Sequence, residues 1–271
     1  MTVGELFSLK GRVAVVSGGA RNFGYYFSQA LAEAGAVVHL TSRSGDDARR
    51  SAEVLARETG GEVHGHELDP LEEDAVRAFF SGLGDQGCGI LVNNAGGRPE
   101  ATTPINDYAF SMENHPLGAW RGVLDAYLTT AFLMSKHALP AMRRNRQGSI
   151  IFIASISGMI GRDRQLYRPY PDHNANCVDY SAAKAGMLGL MRDLGAQVGG
   201  EGIRVNAISP GGFERGHLPG FVSDYGARTT LGRMGDDTAD LKGAIVFLAS
   251  DASRYVTGHN LVVDGGFVSN H

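Results

Sequence analysis

Residues 13–24 read Val13-Ala14-Val15-Val16-Ser17-Gly18-Gly19-Ala20-Arg21-Asn22-Phe23-Gly24. An unbroken apolar run enters a glycine-rich turn, and a helical stretch from about Tyr25 to Ala34 follows. A strand with one wet face alternates polar and apolar residues; an unbroken run predicts a strand covered on both faces. The glycines let the backbone turn tightly and approach a pyrophosphate. The helix start behind them would offer free N–H groups and a positive dipole end. An ordinary strand–helix turn can carry the same glycines, but the position at the first β–α junction favours the phosphate-binding reading.

The alternation continues outward from this unit. Strand-like runs at 37–40, 62–66, 90–92, 149–154, 204–208 and 260–263, most of them apolar, are separated by helical stretches at about 46–58, 71–80, 117–144, 180–198 and 238–249. Strands alternating with helices predict a doubly wound α/β fold, a parallel sheet of Rossmann type with helices on both faces. No linker or internal repeat divides residues 1–271, so a single dinucleotide-binding and catalytic domain is expected. One stretch lacks periodicity: residues 161–179, within an extended loop at about 159–179, rich in Arg, Tyr, Pro, Asp and Asn. Long loops inside compact domains usually serve function.

Bulk properties narrow the function classes. The net charge is -4 and no basic stretch suggests a nucleic-acid footprint. Glycine accounts for 38 of 271 residues, about twice the roughly 7% average, as expected for many tight turns. The two cysteines, Cys88 and Cys177, make no disulfide framework and fit a reducing cytoplasm. Neither a signal peptide nor an apolar run of roughly 20 residues is seen, so no membrane partner is expected.

The second strand ends in Thr41-Ser42-Arg43-Ser44. A carboxylate there would bind a ribose 2′-hydroxyl, the mark of NAD. Ser42 and Arg43 stand there instead, and Arg21 lies in the glycine turn. Two guanidinium groups suit a 2′-phosphate through charge-assisted bonds. NADP(H) is therefore the expected cofactor, with NAD(H) the alternative.

Tyr180-Ser181-Ala182-Ala183-Lys184 opens a long helix. Residues i and i+4 share a helix face, which sets an ammonium near a phenol. A nearby positive charge favours phenolate, and a phenol so tuned can give a proton to a carbonyl oxygen or take one from an alcohol. Five residues alone would equally describe a surface pair.

The rest of the chain decides between them. With the glycine turn, Asn93-Asn94-Ala95-Gly96, Ser155, the Tyr180/Lys184 pair, Asn206-Ala207-Ile208-Ser209-Pro210-Gly211, Thr257-Gly258 and Asp264-Gly265-Gly266 in order, the chain resembles the short-chain dehydrogenase/reductase family over nearly its whole length. The resemblance implies Tyr180 as general acid/base and Ser155 as holder of the substrate oxygen. It implies that Lys184 lowers the tyrosine pKa and bonds the nicotinamide ribose. Gly18, Arg21, Asn22, Phe23 and Gly24 would hold the pyrophosphate end, with Ser42 and Arg43 at the adenosine ribose. Asp69 would meet the adenine, and Asn93, Asn94, Ala95 and Gly96 would line the cofactor site. Ile208, Pro210, Gly211 and Phe213 would border the nicotinamide. The family also implies a mobile substrate lid, here at about 212–232, and a homotetramer built on the long helices, with a dimer as the alternative.

Four departures from the family pattern stand out. Asn22 replaces the middle glycine of the turn. Tyr127 replaces a helix asparagine that holds a proton-relay water. The span from Ser155 to Tyr180 is roughly twice the usual length, and its Arg162, Arg164, Tyr167, Arg168, Tyr170, Asp172, His173 and Asn174 suggest a polar, anionic or hydroxylated substrate. Gly212-Phe213-Glu214-Arg215 stands where a threonine or serine usually follows the Pro-Gly pair. His64-Gly65-His66 offers two ligands on one strand face with no third nearby in sequence, so no metal is expected.

The reading reached is an oxidoreductase that passes a hydride between NADP(H) and a small polar ketone or secondary alcohol, foremost a ketone reductase. An NAD-linked alcohol or polyol dehydrogenase is one alternative. A cofactor-binding sensor or scaffold with little turnover is another, of a different class.

Overall fold

The computed structural model describes residues 1–84, 87–97, 111–170 and 177–270. Seven strands form one sheet: β1 (Val13–Val16), β2 (Val37–Ser42), β3 (Val63–Glu67), β4 (Ile90–Asn93), β5 (Gly148–Ile153), β6 (Ile203–Pro210) and β7 (Asn260–Val263). Their order is β3-β2-β1-β4-β5-β6-β7 and every pairing is parallel. Each parallel crossover needs a helix, and these fall on both faces: α2 (Asn22–Glu33), α3 (Gly45–Thr59), α4 (Glu73–Ser81), α5 (Leu117–Leu124), α6 (Thr130–Asn145), α8 (Val178–Val198) and α10 (Lys242–Ala249). Three shorter helices are α1 (Val3–Phe7), α7 (Arg164–Tyr167) and α9 (Pro219–Gly226). No helix among the described residues is long and apolar enough to cross a membrane.

The unbroken apolar strands are explained by the two-faced core. Val15, Leu91, Ile150, Phe152 and Val205 point into one cluster with Met134, Met142, Met187 and Met191 from α6 and α8. Their strand neighbours Ala14, Val16, Val92, Ile151 and Ile153 point into the other, with Phe27 and Leu31 from α2 and Ile245 and Leu248 from α10. Period-2 alternation therefore persists, but both sets are apolar because both faces are covered.

Strand order reverses between β1 and β4, and the strand ends there open a crevice, the place where ligands bind in open parallel sheets. The glycine turn, Asn93, Ser155 and Pro210 all leave strands on this edge.

The structure departs from the sequence expectations at two elements. The helix expected over 117–144 is broken into α5 and α6 by a π-helical turn, Asp125–Thr129. Such a turn adds a residue to the helix without altering its apolar content, so period counting does not register it; these insertions often mark functional sites. The extended loop at 159–179 is not uniformly irregular either. Asp163 accepts hydrogen bonds from the amides of Gln165 and Leu166 and so caps α7, while Val178 and Asp179 already belong to α8. Asp172, His173 and Asn174 lie outside the described residues.

Within the expected lid, residues 212–232, α9 packs Phe221 and Tyr225 against Leu166 of α7, Ile156, Met234 and Phe267. This third apolar cluster joins residues of the extended loop to α9.

Candidate active site

The crevice is a single cavity of about 690 Å³ lined from Arg21 and Arg43 at one end to Ser155, Tyr180 and Lys184 at the other. Gly18, Asn22, Phe23, Ser42, Asp69, Asn94, Ala95, Gly96, Pro210 and Gly211 line it as well. The site residues expected from the sequence make up about half of the wall; Thr41, Asp47, Leu68, Leu71, Ala126, Tyr127 and Arg215 are among the others that line it. Gly24 and Phe213, expected as cofactor contacts, do not line it. Gly24 packs against the Gly18 carbonyl, where a Cβ would overlap backbone. Phe213 is buried behind Phe23, the two rings edge-to-face at 4.9 Å. Both support wall residues from behind. Asn93 is also buried beneath the surface, donating to Ser135 Oγ at 2.9 Å.

The glycine turn has the geometry of a phosphate cradle. Gly18 adopts φ 64, and a Cβ there would sit 3.1 Å from the Ala95 Cα. Asn22 opens α2 at φ 51, so an asparagine takes the left-handed conformation where the family has glycine. Ser17, which sequence reading passed over, ties the turn to the next loop. Its Oγ accepts from the amides of Asn94 and Ala95 at 3.0 and 2.9 Å and donates to the Val92 carbonyl. Asn94 Nδ2 closes the loop by donating to the carbonyls of Ser17 and Gly18, each at 3.1 Å.

Neither Arg21 nor Arg43 pairs with a carboxylate among the described residues. A dinucleotide fits this donor set: free N–H groups at the α2 start, a glycine-walled turn and two exposed cations for a 2′-phosphate. Asp47, in the first turn of α3, lines the same end and lies 3.9 Å from Arg50. This carboxylate stands five residues beyond Ser42, the last residue of β2.

At the other end, Ser155 follows β5, only 7% exposed, and its Oγ accepts from the Ser157 amide at 3.1 Å. Lys184 is 4% exposed and donates to the Ile153 carbonyl at 2.6 Å. With few polar neighbours, burial pushes its amine down to about 7. Tyr180 is raised above the usual phenol range, chiefly by burial; the nearby Ser155 hydroxyl and the Arg162 and Arg215 guanidinium charges pull the other way. This corrects the simple expectation of a phenol lowered by its lysine. Desolvation dominates both groups, and the ammonium is turned toward a carbonyl.

Tyr127 sits in the π turn against this pair. Its ring meets Tyr180 edge-on at 5.3 Å and carries Lys184 Nζ over its face at 4.5 Å. It also covers Gly96, where a Cβ would overlap the ring. The ring therefore forms part of the wall in place of the smaller amide of the family.

The His64/His66 pair expected from the sequence gains a third member, and a second histidine grouping appears, because the added residues come from other elements. His39 of β2 joins His64 and His66 of β3: its Nδ1 lies 2.9 Å from His66 Nε2, and its ring stacks on His64. Burial, with the neighbouring histidines, pushes His39 down to about 4. Beside Tyr180, His115, Cys177 and Asp179 bring ligand-capable atoms within 4.8 Å of one another, although no metal was expected. His115 Nε2 lies 3.1 Å from Asp179 Oδ2, while Asp179 Oδ1 accepts the Tyr180 amide at 2.6 Å, which anchors the first turn of α8.

A family model described as Enoyl-(Acyl carrier protein) reductase matches residues 18–268. The chain is 31% identical to a 3-oxoacyl-(acyl-carrier-protein) reductase of Aquifex aeolicus, over 95% of this chain and 98% of that one. It is 34% identical to a cis-4-hydroxycyclohexanecarboxylate dehydrogenase of Sinomonas cyclohexanicum, over 98% and 100% of the two chains. Among solved structures, a gluconate 5-dehydrogenase from Burkholderia cenocepacia in complex with NADP and tartrate superposes with a TM-score of 0.84 at 29% identity, covering 99% of each chain.

Proposed function

Since this chain belongs to the short-chain dehydrogenase/reductase family of NAD(P)-dependent oxidoreductases, we propose that it passes a hydride between NADP(H) and a small polar ketone or secondary alcohol, working foremost as a ketone reductase. The observation that carries this reading is the single cleft with Ser155, Tyr180 and Lys184 at one end and, at the other, two guanidinium groups without carboxylate partners among the described residues. The solved relative that holds NADP and tartrate supports it, as does the reductase of Aquifex aeolicus.

The nicotinamide, when bound, supplies or accepts the hydride. The chain's own residues handle the oxygen. Ser155 Oγ and Tyr180 Oη would hold the carbonyl oxygen between them, and the phenol gives it a proton as charge develops there. A phenol raised above its usual range is fully protonated at neutral pH and so suited to the reductive direction. Lys184, near 7, exchanges protons at physiological pH, and an ammonium has three N–H groups, of which the Ile153 carbonyl takes one. The others can reach ribose hydroxyls.

The same reading includes a cytoplasmic homotetramer assembled on the long helices; the half-exposed Phe132 of α6 supports an apolar subunit contact. The alternative, an NAD-linked alcohol or polyol dehydrogenase, draws on Asp47 as a partner for a 2′-hydroxyl.

Titration with NADPH and NADH, followed by nicotinamide fluorescence, tests the reading. Tighter NADPH binding, followed by NADPH oxidation on a carbonyl panel, is expected. Tighter NADH binding would sink the NADP assignment, and turnover of neither carbonyls nor alcohols would sink the enzyme reading.

A further inference from the structure

Three guanidinium groups gather where the extended loop meets the lid, and they are not equivalent. Arg215 forms a two-point pair with Asp237, and Arg228 pairs with Asp163 at 2.7 Å. Among the described residues Arg162 is held by hydroxyls and an aromatic face: Nη1 donates to Tyr167 Oη at 2.9 Å, Nη2 to Ser157 Oγ at 2.7 Å, and the guanidinium carbon lies 5.3 Å from the Tyr167 ring centroid. Its Nε is buried without a hydrogen-bond partner, and no carboxylate among the described residues forms an ion pair with it.

A guanidinium carries five N–H donors and keeps its charge at any physiological pH. Two donors are used here, so three remain. Burying a charged donor without a counter-ion is costly, and the neighbouring sites meet that cost with an acid. At Arg162 the fork is instead oriented by two neutral hydroxyls and the Tyr167 ring, with no carboxylate partner among the described residues.

The location is specific. Arg162 lines a cavity of about 30 Å³ with Ile156, Ser157, Tyr167, Tyr225, Phe267 and Asp163, whose carboxylate is taken by Arg228. Ser157 is two residues from Ser155 and bonded to it through its amide. The charge of Arg162 also reaches Tyr180, where it favours the phenolate. A mixed wall whose one carboxylate, Asp163, is already paired with Arg228, and whose cation Arg162 is fixed near the site of proton transfer, suits an anion attached to the reacting molecule.

We propose that Arg162 is a substrate-anion subsite: it receives a carboxylate carried by the substrate, making small oxo- and hydroxycarboxylates the preferred class. The assignment rests on the oxidoreductase reading above and adds the acid group to the polar ketone. A neutral ester or thioester would leave the guanidinium unpaired and be disfavoured.

Binding separates this idea from turnover. The full-length protein saturated with NADP is titrated calorimetrically with 4-oxopentanoate, 5-oxohexanoate and 4-oxocyclohexanecarboxylate, each against its primary amide. The carboxylate of at least one pair should bind roughly 10- to 100-fold tighter, the span of hydrogen bonds to a charged group. Arg162→Gln should erase the preference, Arg162→Lys should keep part of it, and Arg168→Gln, which removes an exposed charge from the same loop, should leave it intact. Equal or absent binding of acid and amide by the wild type overturns the proposal. So does a preference that survives Arg162→Gln, or one lost equally in Arg168→Gln. Should Arg162→Gln melt early, the lysine variant and the wild-type preference decide. If the preference holds but no probe is reduced by NADPH, the ketone-reductase reading fails and the anion subsite stands.

Discussion

The Nζ of Lys184 lies 4.5 Å from the centroid of the Tyr127 ring, over its face. A cation so placed is attracted by the ring quadrupole, by up to about 2 kcal/mol when desolvated. This contact opposes the burial that discharges the lysine, and it comes from the residue that departs from the family pattern. Tyr127→Phe keeps the ring and should leave the Lys184 midpoint unchanged. Tyr127→Leu should lower it by up to about 1.5 pH units, since roughly 1.4 kcal/mol corresponds to one unit. Turnover compared between Tyr127 and Phe reports separately on the hydroxyl: equal rates would rule out a role for it in proton relay.

Lys184 itself should titrate near 7 in the cofactor-free protein. NMR of protein carrying ¹³C-labelled lysine would follow it, and a midpoint at the ordinary lysine value would contradict the burial argument. The sign for stability follows. With the folded value below the unfolded one, the unfolded chain binds more protons between about pH 7 and lysine's ordinary value, so stability gains from this group as pH rises through that window. Below the folded value both states are charged and the contribution stays at its least favourable level.

Tyr180→Phe removes the proposed proton donor while keeping the ring packed against Tyr127. A loss of roughly 10²- to 10⁴-fold in kcat is expected for a general acid, with NADPH affinity changed by less than a few fold. Stopped-flow traces of NADPH oxidation would measure it, and near wild-type turnover would remove Tyr180 from the mechanism.

Arg43→Ala and Arg21→Ala should each weaken NADPH binding by roughly tenfold or more, as expected when a charge-assisted bond is lost, and leave NADH binding nearly unchanged. Raised salt should narrow the NADPH preference, because both guanidinium groups are exposed. Equal losses for the two cofactors would argue that the arginines act on the pyrophosphate or on the fold rather than on a 2′-phosphate.

Gly24→Ala places a methyl group against the Gly18 carbonyl. Backbone cannot yield as a flexible side chain does, so a destabilisation of about 1–3 kcal/mol is expected, together with weakened cofactor binding as the turn is displaced. Denaturant unfolding would measure the first effect; an unaltered midpoint would mean that α2 can move away from the turn at little cost.

Much of this molecule is legible from local chemistry. Residues 13–16 had to form a strand covered on both faces, because nothing polar interrupts them, and β1 and β7 fall where the apolar runs lie. The glycine turn and the i, i+4 spacing of Tyr180 and Lys184 are properties of a few adjacent residues, readable without neighbours. What tertiary structure decided is what depends on approach between distant elements. The π turn sets Tyr127 under Lys184, although its sequence has no distinct period. Asp47 reaches the cofactor end of the cleft from the first turn of α3. Cys177 and Asp179 meet His115 from more than sixty positions away in the chain. Burial alone turns a lysine into a near-neutral amine and raises its tyrosine, reversing a rule drawn from charge proximity. Strand periodicity and turn chemistry act between adjacent residues, whereas desolvation and ion pairing depend on everything within a few ångströms. That is why Arg162, one of several arginines in a polar loop, is singled out only once its neighbours Arg215 and Arg228 are seen with their carboxylates and it is not.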